Sequence, residues 1–258
     1  MHKELKALIF DVDGTLVENE RIHRIAFNET FAEFNLDWQW NAELYGQLLA
    51  VTGGKERIKF YLEQYRPDYS RPAHLDSFIA EIHAQKTARY NQILEHSPIP
   101  LRPGIRRLID EARRDNLRLA VATTTSPTNV LSLLKYSLDY HAVAWFDVIA
   151  AGDMVTAKKP APDVYHYALT KLGLQPEECL AIEDSNNGIR SAMAANLSTL
   201  ITVSDYTRNE DFTGASLVLD NLGEPDQPFT VLAGNVGNAH YVDIALLHQI
   251  HATPILAS

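Results

Sequence analysis

The sequence predicts an α/β protein with a doubly wound, parallel β-sheet and a helical domain inserted after the first strand. Short apolar runs typical of buried strands recur along the chain, and amphipathic helical patterns separate most of them. The alternation is interrupted once, by a segment of about eighty residues with several helical patterns and no convincing strand. Polar residues follow directly after several apolar runs, as they do at the ligand-binding edge of an open α/β sheet.

Five apolar runs form the predicted strands, and helical patterns follow most of them. The runs cover residues 5–10, 117–122, 146–150, 180–182 and 199–203. The helical patterns cover residues 105–116, 164–172 and 189–195, where apolar residues recur at helical spacing with charged residues between them. Because strands that alternate with helices pair in parallel, the sequence predicts one parallel sheet with helices on its faces.

The interrupting segment, residues 17–96, is predicted to be a helical cap domain between the two parts of a core domain, residues 1–16 and 97–222. It is far longer than an ordinary connection, which has a median of about 4–6 residues. Residues 223–258 are a C-terminal extension, for which we expect a role in packing or oligomer contact. Helical patterns in the cap cover residues 22–34, 42–49, 58–65 and 75–94.

Composition and charge exclude some classes of partner. The net charge of −10 comes from 33 acidic and 23 basic residues, whereas a nucleic-acid-binding protein needs a basic surface. The longest apolar runs have the length of strands, so we expect no membrane partner. A small anionic substrate remains compatible with this charge if a few basic residues surround it locally. We expect a monomer, although the sequence is also compatible with an oligomer.

The single cysteine, Cys179, cannot form an internal disulfide, and the apolar run after it favours a buried, inert thiol. Such cysteine usage favours a reducing, cytosol-like compartment. The short polar start before the first apolar run predicts no secretory or transit peptide. We therefore expect a cytoplasmic protein, with the chloroplast stroma as the alternative for a mature chain that has lost a targeting segment.

Reactive side chains follow four of the predicted strands. Asp11 and Asp13 come directly after the first strand, and strand alternation puts both side chains on the same side of the backbone. Two like charges so close cost free energy unless a cation or a substrate group compensates them. The sequence thus predicts a metal site in which one carboxylate is free to attack a substrate. The other strands are followed by Thr123, Thr124, Lys158, Lys159, Glu183 and Asp184.

Four motifs, in this order, resemble those of the haloacid dehalogenase superfamily of phosphotransferases. They are Asp-Val-Asp-Gly-Thr (11–15), Ala-Thr-Thr-Thr-Ser (122–126), Lys-Lys-Pro-Ala-Pro-Asp (158–163) and Ile-Glu-Asp-Ser-Asn-Asn-Gly (182–188). Within the superfamily the chain resembles the β-phosphoglucomutase-like branch and, most of all, the CbbY-type sugar-bisphosphate phosphatases associated with carbon fixation. The segments 20–23, 52–57, 101–104 and 150–153 carry that narrower resemblance. The resemblance covers roughly residues 5–220 and implies a Rossmann-like core with an inserted helical cap.

The resemblance implies a role for each core motif. Asp11 attacks phosphorus and forms an aspartyl-phosphate. Asp13 protonates the leaving sugar oxygen and later deprotonates the attacking water, and we expect burial and a charged neighbour to raise its pKa. Thr123 and Lys159 bind the transferring phosphoryl group.

The implied cofactor is Mg²⁺, which prefers hard oxygen ligands and a phosphate partner. The resemblance assigns it to the Asp11 carboxylate, the Asp13 backbone carbonyl and Asp184. Glu183 is expected to be a further ligand, either directly or through water.

Residues of the cap and its surroundings are expected to contact the rest of the substrate. The Gly53-Gly54 turn before Lys55 and Arg57 can bind an anion through backbone amides, which suggests a place for a second phosphate. His23 follows Glu20 by three positions, so both lie on one helix face. The substrate-binding residues predicted from the sequence are Glu20, His23, Tyr45, Gly54, Lys55, Arg57, Arg102 and Thr124.

The resemblance implies a Mg²⁺-dependent phosphatase of a sugar bisphosphate, with xylulose 1,5-bisphosphate as the implied substrate. One alternative is a β-phosphoglucomutase-type sugar phosphate mutase, in which a sugar hydroxyl instead of water attacks the aspartyl-phosphate. A non-catalytic sugar-phosphate sensor is less favoured because a sensor needs no nucleophile. A haloalkanoate dehalogenase is less favoured again because it has no use for Asp13 or the metal carboxylates.

Overall fold

Seven strands form one sheet in the order β3-β2-β1-β4-β5-β6-β7 in the computed structural model, which describes residues 3–252. The outer ends of the predicted segments 1–16 and 223–258, at residues 1–2 and 253–258, lie outside the described residues. Neighbouring strands are parallel except for the antiparallel pair β6 and β7. The strands are β1 (Ala7–Phe10), β2 (Arg118–Thr123), β3 (Val148–Ala151), β4 (Cys179–Glu183), β5 (Ser198–Thr202), β6 (Leu217–Leu219) and β7 (Val231–Ala233).

The helices cover both faces of the sheet and form the inserted segment. The predicted α/β architecture with a mainly parallel sheet is confirmed, and β1–β5 coincide with the five predicted strands. The helices are α1 (Glu20–Glu33), α2 (Ala42–Leu48), α3 (Gly54–Gln64), α4 (Leu75–His96), α5 (Ile105–Arg114), α6 (Pro127–Leu133), α7 (Asp163–Leu172), α8 (Asn186–Ala194) and α9 (Ile244–Ala252).

Strand alternation divides the core between two layers of helices. On β1, Leu8 and Phe10 belong to the apolar cluster that also contains residues of α5, α6 and α9. Ala7 and Ile9 point to the other face, into a cluster with residues of α7 and α8. Because both faces are covered, β1 reads in the sequence as a continuous apolar run.

Helices α1–α4 follow β1 and lie within the predicted cap segment 17–96. They enclose an apolar cluster of their own, in which Phe31 packs against the rings of Trp38 and Trp40 with centroids 5.2 and 4.9 Å apart. This separate cluster gives the segment a basis for folding as a unit. The exact limits of the two domains stay a prediction.

The C-terminal extension contributes an edge strand and a helix. Strand β7 pairs with β6, and the buried face of α9 joins the cluster on the α5 side of the sheet. These two short strands, of three residues each, were not among the predicted strands. Cys179 is buried, as predicted, and burial raises the pKa of its thiol to about 12. Within residues 3–252, no helix has the length and hydropathy needed to cross a membrane.

The sheet order has a topological switch point at β1. From β1 the chain proceeds to β2 and β3 on one side and then crosses to β4 and β5 on the other. Open α/β sheets bind ligands outside the carboxyl ends of the strands at such a point. The fold therefore places the ends of β1 and β4 side by side at the expected position of a site.

Candidate active site

Asp11 follows β1 at the level of Glu183, the last residue of the neighbouring strand β4, and Asp184 comes next. The register pairs Phe10 with Ile182, and the backbone N–H of Asp11 donates to the carbonyl of Ile182 at 2.9 Å. Asp11, Glu183 and Asp184 each have a carboxylate oxygen within 4.8 Å of the others, and all three side chains are buried. Two neighbouring strands thus produce a compact cluster of three acids.

This acidic cluster fits a magnesium ion. Burial, together with the neighbouring carboxylates Glu183 and Asp13, raises the pKa of Asp11 to about 7, although Lys159 opposes the shift. Burial and the Asp11 and Glu183 carboxylates also raise the pKa of Asp184 well above its usual value. Repulsion of this kind is relieved by a divalent cation, and oxygen ligands suit Mg²⁺. Asp11 and Asp184 are the residues that would hold it from the cavity side.

Gly14 makes room for the Asp184 carboxylate. Its φ of +81° lies in the region that favours glycine, and a Cβ atom at this position would lie only 2.1 Å from Oδ2 of Asp184. The glycine at the fourth position of the first motif is therefore required both by the turn and by the acidic cluster.

Lys159 is the cation of the cluster, and all three of its N–H bonds are used. Its Nζ atom donates to Oδ1 of Asp11 at 2.6 Å, to Oε1 of Glu183 at 2.6 Å and to the carbonyl of Ala122 at 2.8 Å. Burial alone lowers the pKa of Lys159, but the two carboxylates outweigh it and raise the pKa above its usual value. The lysine therefore carries a positive charge beside Asp11.

Glu183 is turned away from the cavity. It is completely buried, and its Oε1 atom also accepts a hydrogen bond from the hydroxyl of Tyr165. Burial and the Glu183 charge raise the pKa of Tyr165 well above its usual value, so the hydroxyl remains a donor. In this arrangement Glu183 contacts Lys159 and is not among the residues that line the cavity.

Asp13 lines the same cavity and is bound to residues of the inserted segment. Its Oδ1 atom accepts a hydrogen bond from Asn19 and lies 3.3 Å from Nε2 of His23. Burial alone raises the pKa of Asp13, but His23, Asn19 and the charge of Lys86 together lower it to about 2. The raised pKa expected from the sequence is therefore wrong, because the inserted segment supplies donors that the sequence pattern did not reveal.

Lys86 extends this network into α4. Its Nζ atom lies 2.7 Å from Nδ1 of His23, and the His23 ring stacks on Tyr90 with centroids 4.1 Å apart. Burial lowers the pKa of Lys86 to about 7, against the attraction of Asp13. With Lys86 donating to Nδ1, the ring proton of a neutral His23 lies on Nε2, the atom that faces Asp13.

A cavity between the helical segment and the strand ends contains most of the predicted residues. Its walls come from both parts of the chain, so a ligand inside it contacts the core and the inserted helices together. The predicted site residues that line it are Asp11, Asp13, Glu20, His23, Gly54, Arg57, Thr123, Thr124, Lys159 and Asp184.

Two predicted substrate-binding residues are buried behind the cavity wall. The hydroxyl of Tyr45 donates to Glu20 at 2.7 Å and accepts from Arg57 at 3.1 Å, so Tyr45 orients two residues that line the cavity. Arg102 directs its guanidinium at backbone carbonyls, including those of Val203 at 2.6 Å and Asp220 at 2.8 Å. Arg102 thus ties loops to the sheet, and its role in substrate binding stays a prediction.

Lys55 also differs from the expectation. Its Nζ atom donates to the carboxylate of Asp153, just after β3, at 2.6 Å. Lys55 itself is not among the residues that line the cavity. Asp153 also pairs with Lys158 at 3.1 Å, and Lys158 pairs with Glu56 at 3.3 Å. These four charges, which alternate in sign, form two ion pairs between α3 and the core.

Three residues with contacts at the site were not predicted from the sequence: Asn19, Lys86 and Tyr165. One signal for Lys86 was available, because it continues the buried stripe of α4 that contains Ile79, Ile82 and Tyr90, where a lysine is exceptional. Tyr165 gave no such signal, since a tyrosine on a buried helix face is ordinary core. Asn19 is distinguished only by the loop that brings it to Asp13.

Comparison with known proteins identifies the family to which this chain is related. A model of the haloacid dehalogenase-like hydrolases matches residues 5–196. Protein CbbY of Cereibacter sphaeroides is 50% identical over 220 residues, which cover 85% of this chain and 94% of that protein. The plasmid-encoded CbbY of Cupriavidus necator is 45% identical over 248 residues, covering 96% of this chain and 97% of that protein.

A solved structure agrees with these relatives. The crystal structure of a CbbY mutant from Rhodobacter sphaeroides in complex with xylulose 1,5-bisphosphate superposes with a TM-score of 0.78 at 49% identity. The match covers 84% of this chain and 94% of that one.

Proposed function

The chain belongs to the haloacid dehalogenase-like hydrolase family, and from this premise we propose that it is a Mg²⁺-dependent phosphatase of a sugar bisphosphate, with xylulose 1,5-bisphosphate as its substrate. The proposed reaction proceeds through an aspartyl-phosphate on Asp11. The CbbY relatives and the bisphosphate found in the Rhodobacter sphaeroides complex support the substrate class.

The observation that carries this proposal is the separation of two neighbouring carboxylates into two environments. Asp11 lies in the acidic cluster against Lys159, while Asp13, which lines the same cavity, is bound to Asn19 and His23. One carboxylate is thus placed to be a nucleophile and the other to be an acid and base. A binding protein without catalysis has no need for this division.

The first half-reaction transfers the phosphoryl group to the enzyme. An oxygen of Asp11 attacks phosphorus, the bond from phosphorus to the sugar oxygen breaks, and that oxygen takes a proton from Asp13. Asp13 must therefore be protonated at this point, and the negative charge of the bound phosphate favours this by raising its pKa. Lys159 and Thr123 neutralise and orient the phosphoryl oxygens.

The second half-reaction returns Asp11 to its free form. Asp13, now ionised, takes a proton from a water molecule, whose oxygen attacks the phosphorus of the aspartyl-phosphate. The bond to Asp11 breaks, and inorganic phosphate leaves. In the free protein His23, Asn19 and Lys86 lower the pKa of Asp13 to about 2, so its carboxylate is ionised at neutral pH, as a base must be.

A magnesium ion, when bound, would neutralise charge on the phosphoryl oxygens and keep Asp11 ionised. Asp11 and Asp184 would hold it, and their raised pKa values support its presence during turnover.

The second phosphate is proposed to lie at the cap side of the cavity. Arg57 and Lys86 of the inserted segment line the cavity together with Gly53 and Gly54 at the start of α3, and Lys158 of the core lines it as well. A helix N-terminus with nearby cations favours a dianion. This charge distribution supports a bisphosphate over a monophosphate.

The test is an assay of phosphate release from xylulose 1,5-bisphosphate, with β-glucose 1-phosphate assayed in parallel. We expect release from the bisphosphate with Mg²⁺ and none after chelation. Conversion of β-glucose 1-phosphate to an isomer without phosphate release would show that the protein is a mutase and not a phosphatase. Inactivity on both substrates in the presence of Mg²⁺ would instead support a sensor.

A further inference from the structure

We propose that Tyr165 is a positioning residue for phosphoryl transfer: its hydroxyl holds the Glu183 carboxylate, and Glu183 thereby sets the place of Lys159 beside Asp11. Tyr165 itself touches neither Asp11 nor the cavity. The inference rests on the proposed function, because it concerns the lysine that stabilises the transferring group.

The geometry of Glu183 is the first support. Its Oε1 atom accepts hydrogen bonds from two donors, the Tyr165 hydroxyl and Nζ of Lys159, the latter at 2.6 Å. Both Glu183 and Tyr165 have no solvent exposure. If the Tyr165 hydroxyl is removed, bulk water therefore has no direct access to replace it.

The opposite side of the carboxylate is restrained as well. A Cβ atom at Gly188 would lie 1.9 Å from Oε2 of Glu183, so the backbone of α8 packs directly against this oxygen. The backbone N–H of Asp184 approaches the same oxygen at 3.4 Å. Glu183 is thus enclosed between α8 and Tyr165, and loss of either support changes where its charge lies.

The position of Glu183 affects the chemistry through Lys159. Its three N–H bonds are divided between Asp11, Glu183 and the Ala122 carbonyl, so an oxygen of the transferring phosphoryl group must compete for one of them. The hydrogen bond from Tyr165 reduces the negative charge that Glu183 presents to Lys159. Without it, Glu183 attracts the ammonium more strongly, away from Asp11 and the phosphoryl group.

The variant Tyr165→Phe tests this inference because it keeps the ring and deletes only the donor. We expect kcat to fall roughly tenfold and KM to stay within about twofold, since the lost interaction acts mainly in the transition state. Tyr167→Phe is the matched control on the same helix, at a half-buried site near Lys171 and outside the cavity wall. It should leave both parameters unchanged.

A second measurement does not depend on the choice of sugar. Aluminium fluoride with Mg²⁺ imitates a phosphoryl group in transfer, and its affinity can be measured by calorimetry. We expect about tenfold weaker binding to Tyr165→Phe and unchanged binding to Tyr167→Phe. Inorganic phosphate, which imitates the product, should bind equally to all three proteins.

The outcomes separate this inference from the proposed function. A lower melting temperature of Tyr165→Phe with unchanged kcat and unchanged aluminium fluoride affinity would reduce Tyr165 to a core residue and overturn the inference. A rise in the KM of Tyr165→Phe with an unchanged kcat would also overturn the inference. If the wild type releases no phosphate from sugar phosphates, the proposed function fails, and the aluminium fluoride measurement still decides the role of Tyr165.

Discussion

The Nζ atom of Lys159 lies 2.6 Å from Oδ1 of Asp11, although 148 positions separate the two residues in the chain. The contact exists because β1 lies at the centre of the sheet and the segment after β3 returns across the strand ends. It places a buried positive charge against the proposed nucleophile, where charge neutralisation contributes most to phosphoryl transfer.

The nucleophile is tested by Asp11→Asn. We expect a loss of turnover on the order of 10⁴-fold or more, because an amide cannot form the acyl phosphate. The fold should persist, since the substitution removes one of three clustered negative charges. Phosphate release and thermal unfolding are the measurements, and wild-type turnover by the variant would remove Asp11 from its proposed role.

The acid and base are tested by Asp13→Asn, for which we expect kcat to fall by roughly 10²–10⁴-fold. The amide keeps the shape of the side chain but can neither donate nor accept the catalytic proton. Rapid-quench measurement of the phosphorylated enzyme provides the check. A variant that hydrolyses the sugar phosphate at the wild-type rate would contradict the assignment.

Magnesium should stabilise the protein in a pH-dependent way. The folded-state pKa of Asp11 is raised to about 7 from 3.8, so the stability associated with its protonated form is fully present below about pH 4 and is lost as the pH rises to about 7. A divalent cation compensates the ionised form. We expect Mg²⁺ to raise the melting temperature more at pH 8 than at pH 5, measured against chelated protein; an equal rise at both pH values would contradict this.

We expect Lys86 to lower the stability of the folded protein while contributing to its activity. Its folded-state pKa is lowered to about 7, mainly by burial, so the stability associated with neutral Lys86 is present above the unfolded value and is lost as the pH falls from 10.5 to about 7. We expect Lys86→Met to be more stable by about 1–4 kcal/mol at pH 6 and by less at pH 9. The same variant should have a lower kcat because His23 loses its partner.

Denaturant unfolding at the two pH values, together with phosphate release, checks the Lys86 prediction. Lys59→Met serves as the control, since Lys59 lies in α3, within the same inserted segment as Lys86, but its side chain is 46% exposed. A Lys86→Met protein that is both less stable and fully active would refute the prediction.

The ion pair between Lys55 and Asp153 offers a test of the contact between α3 and the core. Because a partly exposed pair contributes about 0.2–1 kcal/mol, Lys55→Ala should raise KM up to about fivefold, and equally for bisphosphate and monophosphate substrates. Lys59→Ala should change neither KM. A loss confined to bisphosphates would restore the direct phosphate contact that the sequence suggested for Lys55.

Sequence reasoning succeeded where local signals are strong. Each of the strands β1–β5 is a short, uninterrupted apolar run, and the acids and the lysine of the site follow such runs closely in the sequence. The parallel sheet and its reactive edge were therefore predictable. It failed for β6 and β7, which have three residues each and depend on pairing with a sheet that already exists. The surroundings of Arg102 were not predictable either, because a sequence pattern does not show which carbonyls will surround a guanidinium.

By itself, therefore, the sequence determined the fold class, the inserted helices and the four motifs of the site, since strand and helix periodicity and motif spacing are local properties. The tertiary structure decided the environment of each charge. It directed Lys55 to Asp153, held Glu183 beneath Lys159 with Tyr165, and joined Asp13 to Lys86 through His23. Burial and charge pairing depend on which distant segments meet, and they set the pKa values and hydrogen bonds on which the chemistry depends.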